Sequence, residues 1–189
     1  MKRIVSVVLA AGATLAISAA TANAQVAIGV GGGVAIPIGA FSDANKGAAK
    51  TGWHGLANIG YDLPSGLGVR GDFYYGQHSI KGVPSGVSAK WKLAGGLGNV
   101  LYSFGSPGGA HPYVIGSVGF MDLKATASSG GASASASETK VTFGGGAGIK
   151  FKAGSNASIF VEGRYLTINT SGENANFIPI TVGVSFGLK

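Results

Sequence analysis

The chain has 189 residues, a formal charge of +7, no cysteine, 35 glycines, and only 11% charged against 46% hydrophobic residues. The lack of cysteine excludes a disulfide framework, a thiolate metal site and a cysteine nucleophile, and the basic residues, scattered from Lys2 to Lys189 without a run, argue against a nucleic-acid partner. Such a composition is too apolar for a linker and too rich in glycine for an ordinary globular core, and the length suits one domain with a removable leader.

The leader comes first. Met1-Lys2-Arg3 supplies a positive start, residues 4–20 form an apolar run, and Ala22-Asn23-Ala24 has the small-x-small pattern of a signal-peptidase site. Ser6, Gly12, Thr14 and Ser18 interrupt the run, which argues against a retained membrane anchor. Cleavage after Ala24 is expected, with residues 1–24 as signal peptide and 25–189 as the mature domain.

From Gln25 onward the dominant signal has period two, so successive side chains face opposite sides of a sheet. In the first run Val26, Ile28, Val30, Val34, Ile36 and Ile38 alternate with glycine and alanine. The next runs, 51–63 and 67–77, set Trp53, Ile59, Phe73 and Tyr75 against His54, Asn58, Arg70 and Asp72. Runs 89–104 and 112–123 are less regular: Trp91, Leu93 and Leu97 share one parity, Val100, Tyr102 and Phe104 the other. A bulge near Gly98-Asn99 would reconcile them. Run 139–152 places Val141, Phe143, Ile149 and Phe151 opposite Lys140, Thr142, Lys150, Lys152 and three glycines. Run 157–168 and the final run ending at Leu188 complete eight strands.

A soluble barrel needs its bulky side chains inside. Here the small and charged set must face inward and the bulky set outward, which suits a closed sheet in lipid. Connections alternate between short turns near 64–66, 106–109 and 154–156 and longer loops near 42–50, 78–88, 124–138 and 169–176. Long loops belong outside the cell. Trp53, Phe73, Tyr75, Trp91, Phe143 and Tyr165 then form an outer aromatic girdle, and Tyr61, Tyr102, Phe104, Phe151 and Phe186 an inner one. The Ser/Ala/Gly stretch 125–137 reads as a mobile solvated loop. The fold class expected is an all-β, eight-stranded, antiparallel up-and-down transmembrane barrel, making up the whole mature protein.

Over the mature region the chain resembles the outer-membrane β-barrel domain family, the small OmpA/OmpX-like barrels. Its tail is similar to the family's assembly signal, with Thr181 as the polar residue, then Gly183, the aromatic Phe186 and the hydrophobic Leu188. Leu188 stands where an aromatic is common, and Lys189 follows where such chains usually stop. The resemblance implies recognition by the barrel assembly machinery, residence in outer-membrane lipid, and localisation in the bacterial outer membrane.

On the inward face, Arg70 and Asp72 lie on the third strand and Glu162 and Arg164 on the seventh, opposite each other in an eight-stranded barrel. Charges removed from water must find partners, so these four are expected to form an ion-pair cluster that plugs the lumen. The alternative is a narrow porin lined also by Lys90, Lys92, Lys140, Lys150 and Lys152. His54 and His78 near the outer rim, with Ser79 beside one of them, raise a lipid-modifying enzyme as a further alternative. With His111 they belong to separate elements, lack metal-ligand spacing, and have no carboxylate placed to orient them, so solvated or structural histidines are expected. Gly31-Gly32-Gly33 and Gly144-Gly145-Gly146 precede no helix and are strand glycines, not phosphate cradles. The sequence therefore points to a barrel without enzymatic activity, metal or cofactor, serving the membrane structurally or through its outer loops.

Overall fold

The computed structural model describes residues 25–46, 48–105, 109–130, 132–170 and 172–188, so the expected cleavage site at Ala22 and Ala24 lies outside the described residues. Eight strands run in chain order: β1 (Gln25–Ile38), β2 (Gly52–Asp62), β3 (Leu67–Ser79), β4 (Val87–Ser103), β5 (Ala110–Ser129), β6 (Ala132–Lys152), β7 (Ala157–Ile168) and β8 (Ala175–Leu188). Each pairs antiparallel with the next, and β1 pairs with β8 from Val26↔Leu188 to Ile38↔Asn176, so the sheet closes into a barrel. Closure leaves no sheet edge within the wall, which a membrane-spanning sheet requires.

The outer wall carries the bulky alternate positions. Val30, Val69, Phe73, Val100, Val118, Phe120, Val182 and Phe186 are all exposed, whereas their strand neighbours turn inward. Trp53 and Tyr75 pack together near the long-loop end with ring centroids 5.6 Å apart, and Tyr102 and Phe104 meet at 5.2 Å near the short-turn end.

Several expectations are overturned. No bulge interrupts β4: its pairing with β3 runs unbroken from Leu67↔Tyr102 to Ser79↔Lys90. Leu93, Leu97 and Leu101 are instead buried inside, because this side of the barrel fills its lumen with leucine. Trp91 shares their parity and packs against the interior cluster, so it is not a girdle residue. Lys90 and Lys92 consequently project from the outer wall and do not line the lumen. The segment 125–137 is not a free loop, since β5 and β6 continue as a paired ribbon through Ala125↔Ala136, Ala127↔Ala134 and Ser129↔Ala132. Its side chains add little; the backbone ladder begun in the wall simply propagates.

Two interior glycines are required by close approach. Tyr113 on β5 faces Gly148 on β6, and a Cβ there would lie 2.5 Å from the Tyr113 hydroxyl and 2.7 Å from the Val161 carbonyl oxygen. Likewise Phe160 on β7 faces Gly183 on β8, where a Cβ would lie 2.3 Å from the ring and 2.6 Å from the Val30 carbonyl oxygen. An aromatic ring laid over a cross-strand glycine covers bare backbone and pins the register. Gly183→Ala should therefore cost about 1–3 kcal/mol, the usual penalty for overpacking, read as a lower urea midpoint for the lipid-refolded barrel; an unchanged midpoint would refute the contact.

Candidate functional site

The lumen is crossed by a closed ring of four charges. Arg70 Nε donates to Asp72 Oδ1 at 2.8 Å, and its Nη2 donates to Glu162 Oε2 at 2.9 Å. Arg164 Nε donates to Glu162 Oε1 at 2.6 Å, and its Nη2 to Asp72 Oδ2 at 2.6 Å. Each guanidinium thus touches both carboxylates, alternating in sign around a ring that joins β3 to β7. Strand alternation places each pair two residues apart on one inward face, and an eight-strand circuit puts the two faces opposite one another. The structure brings all four expected residues together; Asp72, Glu162 and Arg164 are buried.

Three further residues, not singled out from the sequence, complete the ring. Tyr113 donates from its hydroxyl to Glu162 Oε2 at 2.8 Å. Asn99 Nδ2 donates to the Arg70 carbonyl oxygen at 2.8 Å, while its Oδ1 accepts from Ser117 Oγ at 2.7 Å and from Arg164 Nη1 at 3.2 Å. The inward parity of Asn99 was available in β4, but the supposed bulge at Gly98-Asn99 obscured it. Nearer the short turns Lys150 pairs with Asp62 at 2.9 Å, and the recess there holds about 30 Å³, room for roughly one water molecule.

Towards the long loops the interior changes from charged to apolar. Tyr74, Leu93, Leu97, Met121, Leu166 and Phe177 belong to one buried cluster. His54 is sandwiched into it, stacked on Tyr74 at 5.2 Å with Nε2 within 2.8 Å of Thr181 Oγ1. His78 donates from Nδ1 to the Lys50 carbonyl oxygen at 2.9 Å. Both histidines lie inside the barrel wall rather than at an accessible rim, whereas His111 pairs across β5 and β6 with Lys150. A 3-10 turn, Gly39–Phe41, folds over the mouth and inserts Phe41 beside His78 at 5.4 Å and Trp91 at 6.2 Å. Among the described residues, no group of three or more His, Asp or Glu side chains could hold a metal ion.

Above this closure lies an outward-opening cleft of about 570 Å³ with Phe41, Trp91, Leu123 and Ala175 in its floor. Two ion pairs stand at its edge: Lys46 with Glu173, and Lys140 with Glu138 at 2.9 Å. Hydrogen bonding to Glu173 raises the Lys46 ammonium above its ordinary pKa. Of the terminal residues, Phe186 and Leu188 face outward at 48% exposure each, while Thr181 and Gly183 face the lumen against His54 and Phe160.

A family model described as "Outer membrane protein beta-barrel domain" matches residues 7–187. The chain is similar in fold to neisserial surface protein A, at 17% identity and TM-score 0.63, covering 87% of this chain and 99% of that one. It is also similar to a major outer membrane protein of Thermus thermophilus, at 12% identity and TM-score 0.65, covering 88% and 100%. A third neighbour is the attachment invasion locus protein Ail of Yersinia pestis, solved with the heparin analogue sucrose octasulfate, at 16% identity and TM-score 0.55, covering 87% and 97%. No curated protein matches the sequence.

Proposed function

The chain belongs to the outer membrane protein β-barrel domain family, and from that membership we propose that it is a closed-lumen barrel which serves the bacterial outer membrane structurally and through its outer surface. The observation that carries this reading is the Arg70–Asp72–Arg164–Glu162 ring. Two cations and two anions spanning opposite strands leave no net charge to attract an ion, and every guanidinium is already bonded on both sides. Above the ring the lumen is filled with aromatic and aliphatic side chains, which exclude water. A solute would have to cross both layers in series.

The same reading takes outer-membrane lipid as solvent for the wall, with export by the signal peptide and insertion by the barrel assembly machinery through Thr181, Gly183, Phe186 and Leu188. It assigns no catalysis. His54 and His78 are committed to Thr181 and to the Lys50 carbonyl, and among the described residues neither meets a carboxylate that would orient it as a general base. The surface on offer to the outside is the apolar-floored cleft between the first loop, the β5–β6 ribbon and the last loop.

The deciding measurement is single-channel current across a planar bilayer holding the refolded barrel, with folding verified by heat-dependent gel mobility. A flat baseline is expected. Discrete steps would replace this reading with a narrow porin.

A further inference from the structure

The outer wall of β3, β4 and β5 carries a cationic feature that the lumen does not explain. Outward-facing rungs can be followed towards the long loops. Phe73, Gly96, Phe120 and Val141 form a fully apolar rung. The next outward rung holds Tyr75, Ala94, Asp122 and Thr139, and the one after it Gln77, Lys92, Lys124 and Ser137. Trp53 pairs with Gln77 at this same level. One further outward rung adds Lys90 opposite Thr126.

Four residues of strand separate Phe73 from Gln77, about 13 Å along the chain and about 10 Å along the membrane normal at a tilt near 40°. Lys92 and Lys124 therefore stand on the rung of the girdle residue Trp53, at the membrane interface, and Lys90 one outward rung beyond it. Lys92 and Lys124 are direct cross-strand partners, and like charges so placed are destabilising unless an anion lies between them. Among the described residues none of Lys90, Lys92 and Lys124 has a carboxylate within ion-pair distance. Asp122, one outward rung lower, offsets only part of their charge, and among the described residues its Oδ1 has no hydrogen-bond partner; nor has Thr126 Oγ1.

We propose that this patch binds the phosphate of a phosphorylated glycolipid in the outer leaflet, bridged by Lys92 and Lys124 with Lys90 above. The neighbouring Gln77, Ser79, Ser135 and Ser137 supply amide and hydroxyl groups suited to sugar hydroxyls, which favours a glycolipid over a soluble polyanion. Because the patch lies on the wall, the inference needs the membrane setting but not the closed lumen.

The test titrates the full barrel, in a non-ionic detergent, with a diphosphorylated acyl-glucosamine disaccharide lipid and with the same lipid stripped of phosphate, counting bound lipid by native mass spectrometry. The phosphorylated form should bind more tightly. Electrostatic attraction of about 1 kcal/mol for each cation near the surface, or roughly fivefold per lysine, predicts a loss of about twenty-fivefold for Lys92→Gln with Lys124→Gln. Asp122→Asn should tighten binding, and Lys152→Gln at the opposite end should leave it unchanged. Heat-dependent gel mobility verifies that each variant is folded. Equal affinity for both lipids, or a folded double lysine variant that binds as well as the native barrel, would overturn the proposal; so would preferential binding of a sulfated polysaccharide at the same lysines.

Discussion

Arg164→Ala is expected to destabilise the lipid-refolded barrel by about 3–5 kcal/mol, the usual loss when one partner of a buried charge pair is removed. Arg164 donates to Asp72, Glu162 and Asn99 at once. Its truncation leaves two carboxylates facing a single guanidinium in a site that water scarcely reaches. The penalty comes chiefly from that uncompensated charge, so removing a cation and an anion together should cost less than the single substitutions suggest. Arg164→Met with Glu162→Leu leaves Arg70 and Asp72 as a matched pair, and the double variant should recover part of the loss. Urea unfolding in lipid vesicles supplies the comparison. Strictly additive effects would mean that the four groups do not act as a ring, since members of one network couple by about 0.5–3 kcal/mol.

Phe177→Ala should destabilise by a similar amount, about 3–5 kcal/mol, without opening the barrel to ions. Phe177 is 0% exposed and lies 6.0 Å from Tyr74 and 6.4 Å from His78, so its ring joins β8 to the β3 side of the apolar layer. Truncation leaves a cavity that these neighbours can only partly refill. Beneath that cavity the charge ring is intact, and bilayer current should stay at baseline although the thermal midpoint falls. Ion steps from this variant alone would show that the apolar layer is the only seal and that the ring is permeable.

Period-two reading located the strands wherever one face was bare. β1, β6 and most of β8 place glycine, alanine or polar residues inside and branched or aromatic residues outside, so lipid and lumen sort their side chains by kind; Phe177, buried in the lumen, is the exception in β8. β4 defeats the rule because Leu93 and Leu97 serve the interior while Val100 and Tyr102 serve the lipid. Hydrophobicity cannot tell those destinations apart; only the unbroken register does. That one error turned Trp91 outward, turned Lys90 and Lys92 inward, and concealed Asn99 as a partner of Arg164. The charged ring was legible because Arg70, Asp72, Glu162 and Arg164 sit on strands separated by half the barrel, a fact that follows from counting. Tyr113 was not, since a tyrosine beside valine and isoleucine reads equally well as girdle or as core. The 125–137 stretch carried no apolar alternation to read, and its strand character derives from the ladder beneath it.

That ribbon also bears on how the protein can change over generations. Beyond the wall, rungs such as Ala127↔Ala134 and Ser128↔Ser133 join small side chains across the two arms, and residues 127–130 and 132–137 are exposed. Lengthening or shortening the arms by matched rungs, two at a time, preserves which side chains face each way, and the barrel below is unaffected. The tip is therefore where insertions and deletions can accumulate in register while the wall, tied to its ring and its glycines, stays the same length.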